Sequence, residues 1–333
     1  MFIVSNYGLA VLLCVVTMLC WGSWGNTQKL ASKTWRYEYF YWDYVIGVLL
    51  FALLSAFTFG STGTEGRAFI PDLEQASGSS IALAFTGGVI FNLSNIMLSA
   101  AISLCGMSVA FPVGVGLALV IGVFVNYIAK PDGDPVILFI GVALIAVAIM
   151  LNGMAYKKAQ TGPQNLTKKG ITLSIAAGVI MAFFFYLVSA ATATDFAHPE
   201  AGKMTPYTAV FIFAVGVFVS NFLWDYIAMR KPVQGEPCKP SGYFKGSFGT
   251  HMVGVLGGVI WCIGQSCSMV ASGTAGPAIS YGLGQGATLI SALWGILIWK
   301  EFKNCPAVCN RLNTWMFVLF AIGLGLLIYA KIV

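Results

Sequence analysis

Ten apolar segments of about 20 residues follow one another along this 333-residue chain. An α-helix rises 1.5 Å per residue, so about 20 residues cross a hydrocarbon core of roughly 30 Å. Only 9% of the residues are charged, against about 25% in soluble proteins. We therefore predict an all-α integral membrane protein with spans near 7–26, 40–60, 81–104, 107–129, 135–155, 170–192, 206–228, 248–271, 276–299 and 313–332.

A glycine-rich pattern occurs twice, 170 residues apart. The segment Gly87-Gly88-Val89-Ile90 returns as Gly257-Gly258-Val259-Ile260, and the alignment continues without a gap from 87 to 123. It contains 9 identities in 37 positions, and it matches Phe91 with Trp261. Repeated segments at a fixed offset indicate duplicated structural units.

Ten spans in two related halves leave five spans in each half. Because five is odd, the second half enters the membrane in the opposite orientation, as in secondary transporters with inverted repeats. We predict a first five-helix repeat at 1–155, a cytoplasmic linker at 156–169 and a second, inverted repeat at 170–333. Such transporters bind their solute near the midplane, between the repeats.

The distribution of basic residues predicts the orientation in the membrane. Loops after odd-numbered spans hold 14 of the 18 Lys and Arg residues. Basic residues accumulate on the cytoplasmic side, so both termini are expected on the non-cytoplasmic side of the cell membrane. The basic residues lie in separate short loops, which argues against a nucleic-acid partner.

Catalytic and cofactor sites have little support in the sequence. Cys305 and Cys309 are spaced as CxxxC without a nearby His, so no metal site is expected. The chain has two histidines and scattered acids, which argues against an integral-membrane enzyme. The loop 157–169 lacks the GxxxxGK[ST] pattern, so no nucleotide cofactor is expected.

Polar and aromatic side chains at mid-depth are candidates for solute binding, because each polar group in a membrane span is costly without a partner. Their alternative role is cross-linking of helices. Aromatic faces beside amides suit a neutral, polar, ring-shaped solute, since no buried counter-charge is evident. The candidates are Trp21, Trp24, Asn92, Asn95, Phe111, Tyr186, Trp261, Gln265, Tyr281 and Gln285.

The same aromatics predict two gates. Trp21, Trp24 and Phe111 are expected to form an inner gate, and Phe183, Tyr186 and Tyr281 an outer one. For the tryptophans, the alternative is a belt of aromatic residues at the membrane surface.

Coupling to protons has two candidates, Asp43 and His251. Asp43 begins span 2 within Trp42-Asp43-Tyr44, and Asp225 stands in the similar Trp224-Asp225-Tyr226. Both aspartates are also compatible with solvated carboxylates that pair with Lys or Arg at the interface. A lone histidine titrates near neutral pH, although its role is often structural.

Several motifs resemble the ureide permease family of the drug/metabolite transporter superfamily. They are Trp21-Gly22-Ser23-Trp24, Asp43-Tyr44, Gly87 to Ile90 with Asn95, Gly106-Met107-Ser108-Val109, Ala118 to Gly122, Asn126-Tyr127 and Gly141-Val142-Ala143. The resemblance implies a ten-helix secondary transporter that is driven by protons and has a cavity lined by spans 1, 3, 4, 6, 8 and 9. Plant members move allantoin and uracil-like compounds, whereas related bacterial porters move monosaccharides.

The expected function is uptake of a small neutral solute by alternating access. Three other functions remain open at this point: export of metabolites or lipophilic drugs, a passive channel and, more remotely, an integral-membrane enzyme. The expected partners are the solute, a proton and the lipid bilayer.

Overall fold

The structure is a computed structural model that describes residues 1–333 except 32–34, 106, 160–167, 233–235, 301 and 304. The side chains of 102, 103, 105, 107–109, 111 and 112 also lie outside the description. The first half contains α1 (Tyr7–Ser23), α2 (Gly25–Ala31), α3 (Tyr37–Phe57), α4 (Phe69–Gln75), α5 (Gly78–Cys105), α6 (Met107–Ala129) and α7 (Pro135–Ala159). The second contains α8 (Lys168–Ala191), α9 (Pro206–Arg230), α10 (Phe248–Ala275), α11 (Pro277–Gly284), α12 (Ala287–Leu293) and α13 (Ala307–Tyr329).

The prediction of an all-α membrane protein is confirmed. Within the described residues, nine stretches are long and apolar enough to cross a membrane, and α6 adds the shorter apolar stretch Val113–Ala129. Together α1 and α2 form the first stretch, Tyr7–Ala31, and α11 and α12 belong to the ninth, Pro277–Ile298. Their order along the chain matches the ten predicted spans.

The connections show how the chain turns between spans. Gly276 separates α10 from α11 with φ +83, a conformation that glycine adopts without strain, and Pro277 then begins α11. A single residue therefore connects α10 to α11. Its counterpart at Gly106 lies outside the described residues.

The predicted ninth span is not one continuous helix. It breaks at Gln285 and Gly286, where the backbone tightens into a single turn between α11 and α12. A π-helical turn, Trp294–Ile298, then follows α12. Hydropathy alone does not detect such a break, because the residues on both sides are apolar.

The repeated glycines bring helix backbones into direct contact. A Cβ atom at Gly88 would lie 2.1 Å from the carbonyl oxygen of Phe213, so α5 and α9 touch at this point. A Cβ atom at Gly258 would lie 1.9 Å from the carbonyl oxygen of Tyr44, where α10 touches α3. Small residues permit such close approach, so this glycine pair serves helix packing.

Both glycine contacts are reciprocal. Gly216 of α9 faces the carbonyl of Phe85 on α5, and Gly47 of α3 faces the carbonyl of Val255 on α10. The helices also pack as α5 with α8, α10 with α1, and α7 with α13. These pairs position the aromatic residues of α5 and α10 in the centre of the bundle.

The loops at one end of the bundle pack closely together. Thr192 and Met204 form a β-bridge, and the Ser77 N–H donates to the carbonyl of Gly202. The N-terminal amino group donates to the carbonyl of Glu65. The loops 58–77 and 192–205 therefore cover this end, which is the predicted non-cytoplasmic side.

Candidate solute-binding site

A cavity of about 840 Å³ enters the bundle from the opposite end. Its mouth is formed by residues at helix ends, among them Lys29, Arg36 and Pro232. Arg36 forms an ion pair with Glu38 at 2.9 Å, so two of the charged groups at the mouth neutralise each other. The mouth lies on the side that the basic loops predict to be cytoplasmic.

The deep wall of the cavity is aromatic, and Trp261 is its central residue. The Trp261 indole stacks on Trp21 with ring centroids 5.9 Å apart and an interplanar angle of 12°. The ring centroid of Phe91 lies 4.5 Å from that of Trp261, and Phe213 stacks on Trp261 with ring centroids 5.8 Å apart. These ring contacts fix the position of Trp261. Because Trp261 is 4% exposed, only the edge of the cluster is open to a ligand.

Amide and hydroxyl groups accompany the aromatic wall. Asn95 lines the cavity, and its Nδ2 donates to the Tyr41 hydroxyl at 3.0 Å, which leaves the amide oxygen free to accept. Gln285 reaches the cavity because the chain breaks between α11 and α12 at this residue. Further polar side chains on the wall are Ser99, Asn152, Thr288 and Ser291.

Two polar groups beside Trp261 have no hydrogen-bond partner within the described protein. They are the Gln265 side-chain amide, at both its nitrogen and its oxygen, and the Trp21 Nε1. Gln265 is fully buried on α10, one helical turn from Trp261. A buried polar group without a partner costs about 1–3 kcal/mol; Trp21 lines the cavity, where a polar solute would offset this cost, whereas Gln265 does not line it.

The structure brings together five of the ten predicted solute-binding residues, since the cavity wall contains Trp21, Trp24, Asn95, Trp261 and Gln285. Asn92 lies instead at the contact between α5 and α9, where its Nδ2 donates to the Ser220 hydroxyl at 3.1 Å. It therefore cross-links two helices. The side chain of Phe111 lies outside the described residues.

The predicted outer gate is only partly assembled. Tyr281 is buried, and its ring centroid lies 5.3 Å from that of Phe185. Its hydroxyl donates a hydrogen bond to the carbonyl of Ala118. Phe183 is 38% exposed, so its assignment to the gate is wrong. Tyr186 is half-buried and does not line the cavity, whereas Phe184 does and also approaches Tyr281.

Reasoning from the sequence missed Phe91, Phe184 and Asn152, which line the cavity, and Phe213, which stacks on Trp261 without lining it. One signal for Phe91 was present, because the repeat aligns it with Trp261. The two rings meet in the structure. The other three carry no such signal, since only helix rotation decides which side of a span faces the cavity.

Asp43 and His251 meet in a separate cluster near the same end of the bundle. Asp43 Oδ1 accepts from the Tyr243 hydroxyl at 2.6 Å and contacts His251 Nδ1 at 2.8 Å. Its Oδ2 accepts from Trp35 Nε1 at 3.3 Å. Burial, together with this hydrogen bond, raises the pKa of Tyr243, so the phenol stays protonated and donates.

The interpretation of Asp43 and Asp225 as solvated carboxylates is wrong. Their side chains are 1% and 0% exposed. Asp43 pairs with His251 rather than with Lys or Arg, since the turn at Pro240–Lys245 and the start of α10 fold over it. The sequence could not show this pairing, because the two residues are 208 positions apart.

Comparison with known proteins agrees with this architecture. The model of the ureide permease family matches residues 40–169 and 157–330. The chain belongs to the ureide permease family. Ureide permease 2 and ureide permease 1 of Arabidopsis thaliana are 23% and 22% identical to it, over 98% of this chain and 98% of each relative.

Other relatives of this family member are bacterial. A putative sugar uptake protein of Listeria monocytogenes is 23% identical over 74% of this chain and 79% of its own length. One solved crystal structure shares the fold with a TM-score of 0.58 at 13% identity, covering 94% of this chain and 95% of the other. The protein is thus a multi-pass membrane transporter, as the sequence motifs indicate.

Proposed function

We propose that this ureide permease family member takes up a small, neutral, ring-shaped solute by proton symport, with alternating access. The observation that carries the proposal is the cavity wall, which combines the indoles of Trp21 and Trp261 with the amides of Asn95 and Gln285. Flat rings stack on aromatic faces, and amides pair with their polar edges. Relatives named ureide permeases and a putative sugar uptake protein support ureide- or nucleobase-like rings and monosaccharides as solutes.

The experiment for the solute class uses purified protein and reconstituted vesicles. A thermal-shift screen against ureides, nucleobases and monosaccharides should find a compound that raises the melting temperature, because a ligand that binds the folded form stabilises it. The same compound should show saturable counterflow in proteoliposomes, which a passive channel would not give. Efflux of lipophilic dyes without counterflow of any of these solutes would favour the exporter and overturn the proposal.

We further propose that residues 1–155 and 170–333 are inverted repeats, joined by the linker 156–169. The reciprocal contacts support this, because Gly88 touches Phe213 and Gly258 touches Tyr44, with the glycines 170 positions apart and their partners 169. In this arrangement the cavity is open to the cytoplasm and both termini lie outside, in the cell membrane. Protease-accessible tags test the orientation, and a tag on either end found in the cytosol would contradict it.

The gates follow from the same arrangement. The described part of the proposed inner gate, Trp21 and Trp24, lines the open cavity. Tyr281 packs with Phe184 and Phe185 toward the closed end, which supports its place in the outer gate. Closure of the inner gate would bring Trp21 toward α6.

Asp43 and His251 are the proposed proton-coupling pair, since they meet in one buried cluster. We expect the Asp43→Asn variant to lose accumulation of solute driven by a proton gradient but to keep solute exchange, because an amide neither carries a proton nor balances His251. Accumulation and counterflow in proteoliposomes measure the two activities. Asp195→Asn, at a side chain that is 60% exposed, is the control, and unchanged accumulation in Asp43→Asn would remove Asp43 from the mechanism.

A further inference from the structure

Asp225 is a fully buried carboxyl that accepts no hydrogen bond from the part of the chain that the structure describes. It lies near the end of the membrane-spanning helix α9 and is 0% exposed. Neither Oδ1 nor Oδ2 has a partner, and the Trp42 indole approaches it without the geometry of a hydrogen bond. Among the described residues, Asp225 takes part in no ion pair, unlike Asp43 with its three donors.

The groups that face Asp225 do not favour a negative charge. Glu38, Tyr37 and Tyr41 of α3 and Cys238 of the segment after α9 are near enough to Asp225 to interact with it electrostatically. Arg36 is bonded to Glu38 and to the carbonyl of Glu236. A carboxylate buried in an apolar span without a counter-ion is far more costly than the neutral acid, so these surroundings favour the protonated form of Asp225.

Charged groups on other helices that contact α9 are engaged elsewhere. Asp72 of α4 accepts from the Thr205 N–H, just before the first residue of α9, about 30 Å along the helix axis from Asp225. His251 of α10 is held by Asp43. Neither group compensates a charge on Asp225.

The site of Asp225 adjoins the solute cavity. Ala228, on the next turn of α9, lines the cavity, as does Asn95, which bonds to Tyr41. Asn221 lies one turn before Asp225 on the same face of the helix, and its Nδ2 has no partner. This amide is a donor that suits an ionised Asp225 after a side-chain rotation.

We propose that Asp225 is a second proton-binding site of the transport cycle. In the conformation described here the carboxyl holds its proton behind the cavity wall. When α9 shifts against α3, water reaches the carboxyl, the O–H bond breaks, the proton passes to water, and the carboxylate accepts from Asn221. This inference rests on the proposed function and adds a group that is separate from the Asp43–His251 cluster.

Infrared spectroscopy of the purified wild-type protein tests the protonation without any solute. A protonated carboxyl gives a C=O stretching band that a carboxylate lacks, and we expect this band at pH 7 and its loss in Asp225→Asn. The matched control is Asp72→Asn, because Asp72 is equally buried but is paired with Arg67 and Thr205. If Asp225→Asn does not fold, Asp225→Glu should move the band, and a spectrum unchanged by either variant overturns the proposal.

Proton flux in proteoliposomes tests the role in transport. We expect Asp225→Asn to lower the number of protons moved per solute by about half, because the separate Asp43–His251 pair is unchanged, while solute counterflow continues and Asp72→Asn behaves as wild type. An unchanged proton flux in Asp225→Asn overturns this inference and leaves the proposed function intact. If the wild type moves none of the solutes, the proposed function fails, and the infrared band still decides whether Asp225 holds a proton.

Discussion

The Trp261→Ala variant is expected to bind solute about 100-fold more weakly than the wild type, which corresponds to roughly 2.8 kcal/mol. The substitution removes the ring that stacks on Trp21 and Phe213 and contacts Phe91. Each aromatic pair is worth about 0.5–1.5 kcal/mol beyond its buried area. The variant therefore loses a ring on which the solute stacks, and it also loses the contacts that order the other rings of the wall. Ligand-induced thermal shift and counterflow measure the effect.

Two variants control for this result. Trp261→Phe keeps an aromatic ring and should retain most of the affinity. Trp315→Ala removes an indole that is 61% exposed on α13 and should bind like the wild type. If Trp261→Ala binds solute as tightly as Trp315→Ala does, the aromatic wall is not the solute site.

The Gly258→Ala variant is expected to be less stable by at least about 3 kcal/mol, at the upper end of overpacking costs in a close-packed core. The new Cβ would lie 1.9 Å from the carbonyl oxygen of Tyr44, which belongs to backbone and cannot rotate away. The helices α3 and α10 would have to separate. Gly88→Ala should act in the same way, because its Cβ would lie 2.1 Å from the carbonyl oxygen of Phe213. Melting temperature and the yield of monodisperse protein report the effect.

The matched control is Gly249→Ala, on the same helix α10. A Cβ atom there has nothing within 4 Å. Alanine is also the better helix former, by about 1 kcal/mol, so this variant should be as stable as the wild type or slightly more stable. Equal melting temperatures for Gly258→Ala and Gly249→Ala would show that the glycine contact is not needed for folding.

Some of the binding site was predictable from the rule that polar and aromatic groups at mid-depth need a partner. That rule selected Trp21, Trp261 and Gln285, which all line the cavity. The rule failed where two aromatic side chains lie close together on one helix but point to different sides of it. Tyr186 and Phe184 lie two positions apart, which is about 200° around the helix axis, and only Phe184 reaches the cavity.

The membrane spans follow from the sequence alone. A span must be apolar over about 20 residues and must satisfy its backbone hydrogen bonds within itself. Both requirements act locally along the chain, so each span can be recognised without its neighbours. The repeated glycines predict two related halves of the chain, and the structure adds that Gly258 contacts the backbone of Tyr44.

Only the tertiary structure decided which side chains share a site. The rotation of each helix and its choice of neighbour depend on contacts between segments far apart in the chain. Asp43 meets His251 across 208 positions, and Asp225 accepts no hydrogen bond from the described residues, although both aspartates follow a tryptophan and precede a tyrosine. In the interior of a membrane protein, the hydrogen bonding and protonation of a carboxyl group depend on the side chains around it. Those side chains come together only when the helices pack.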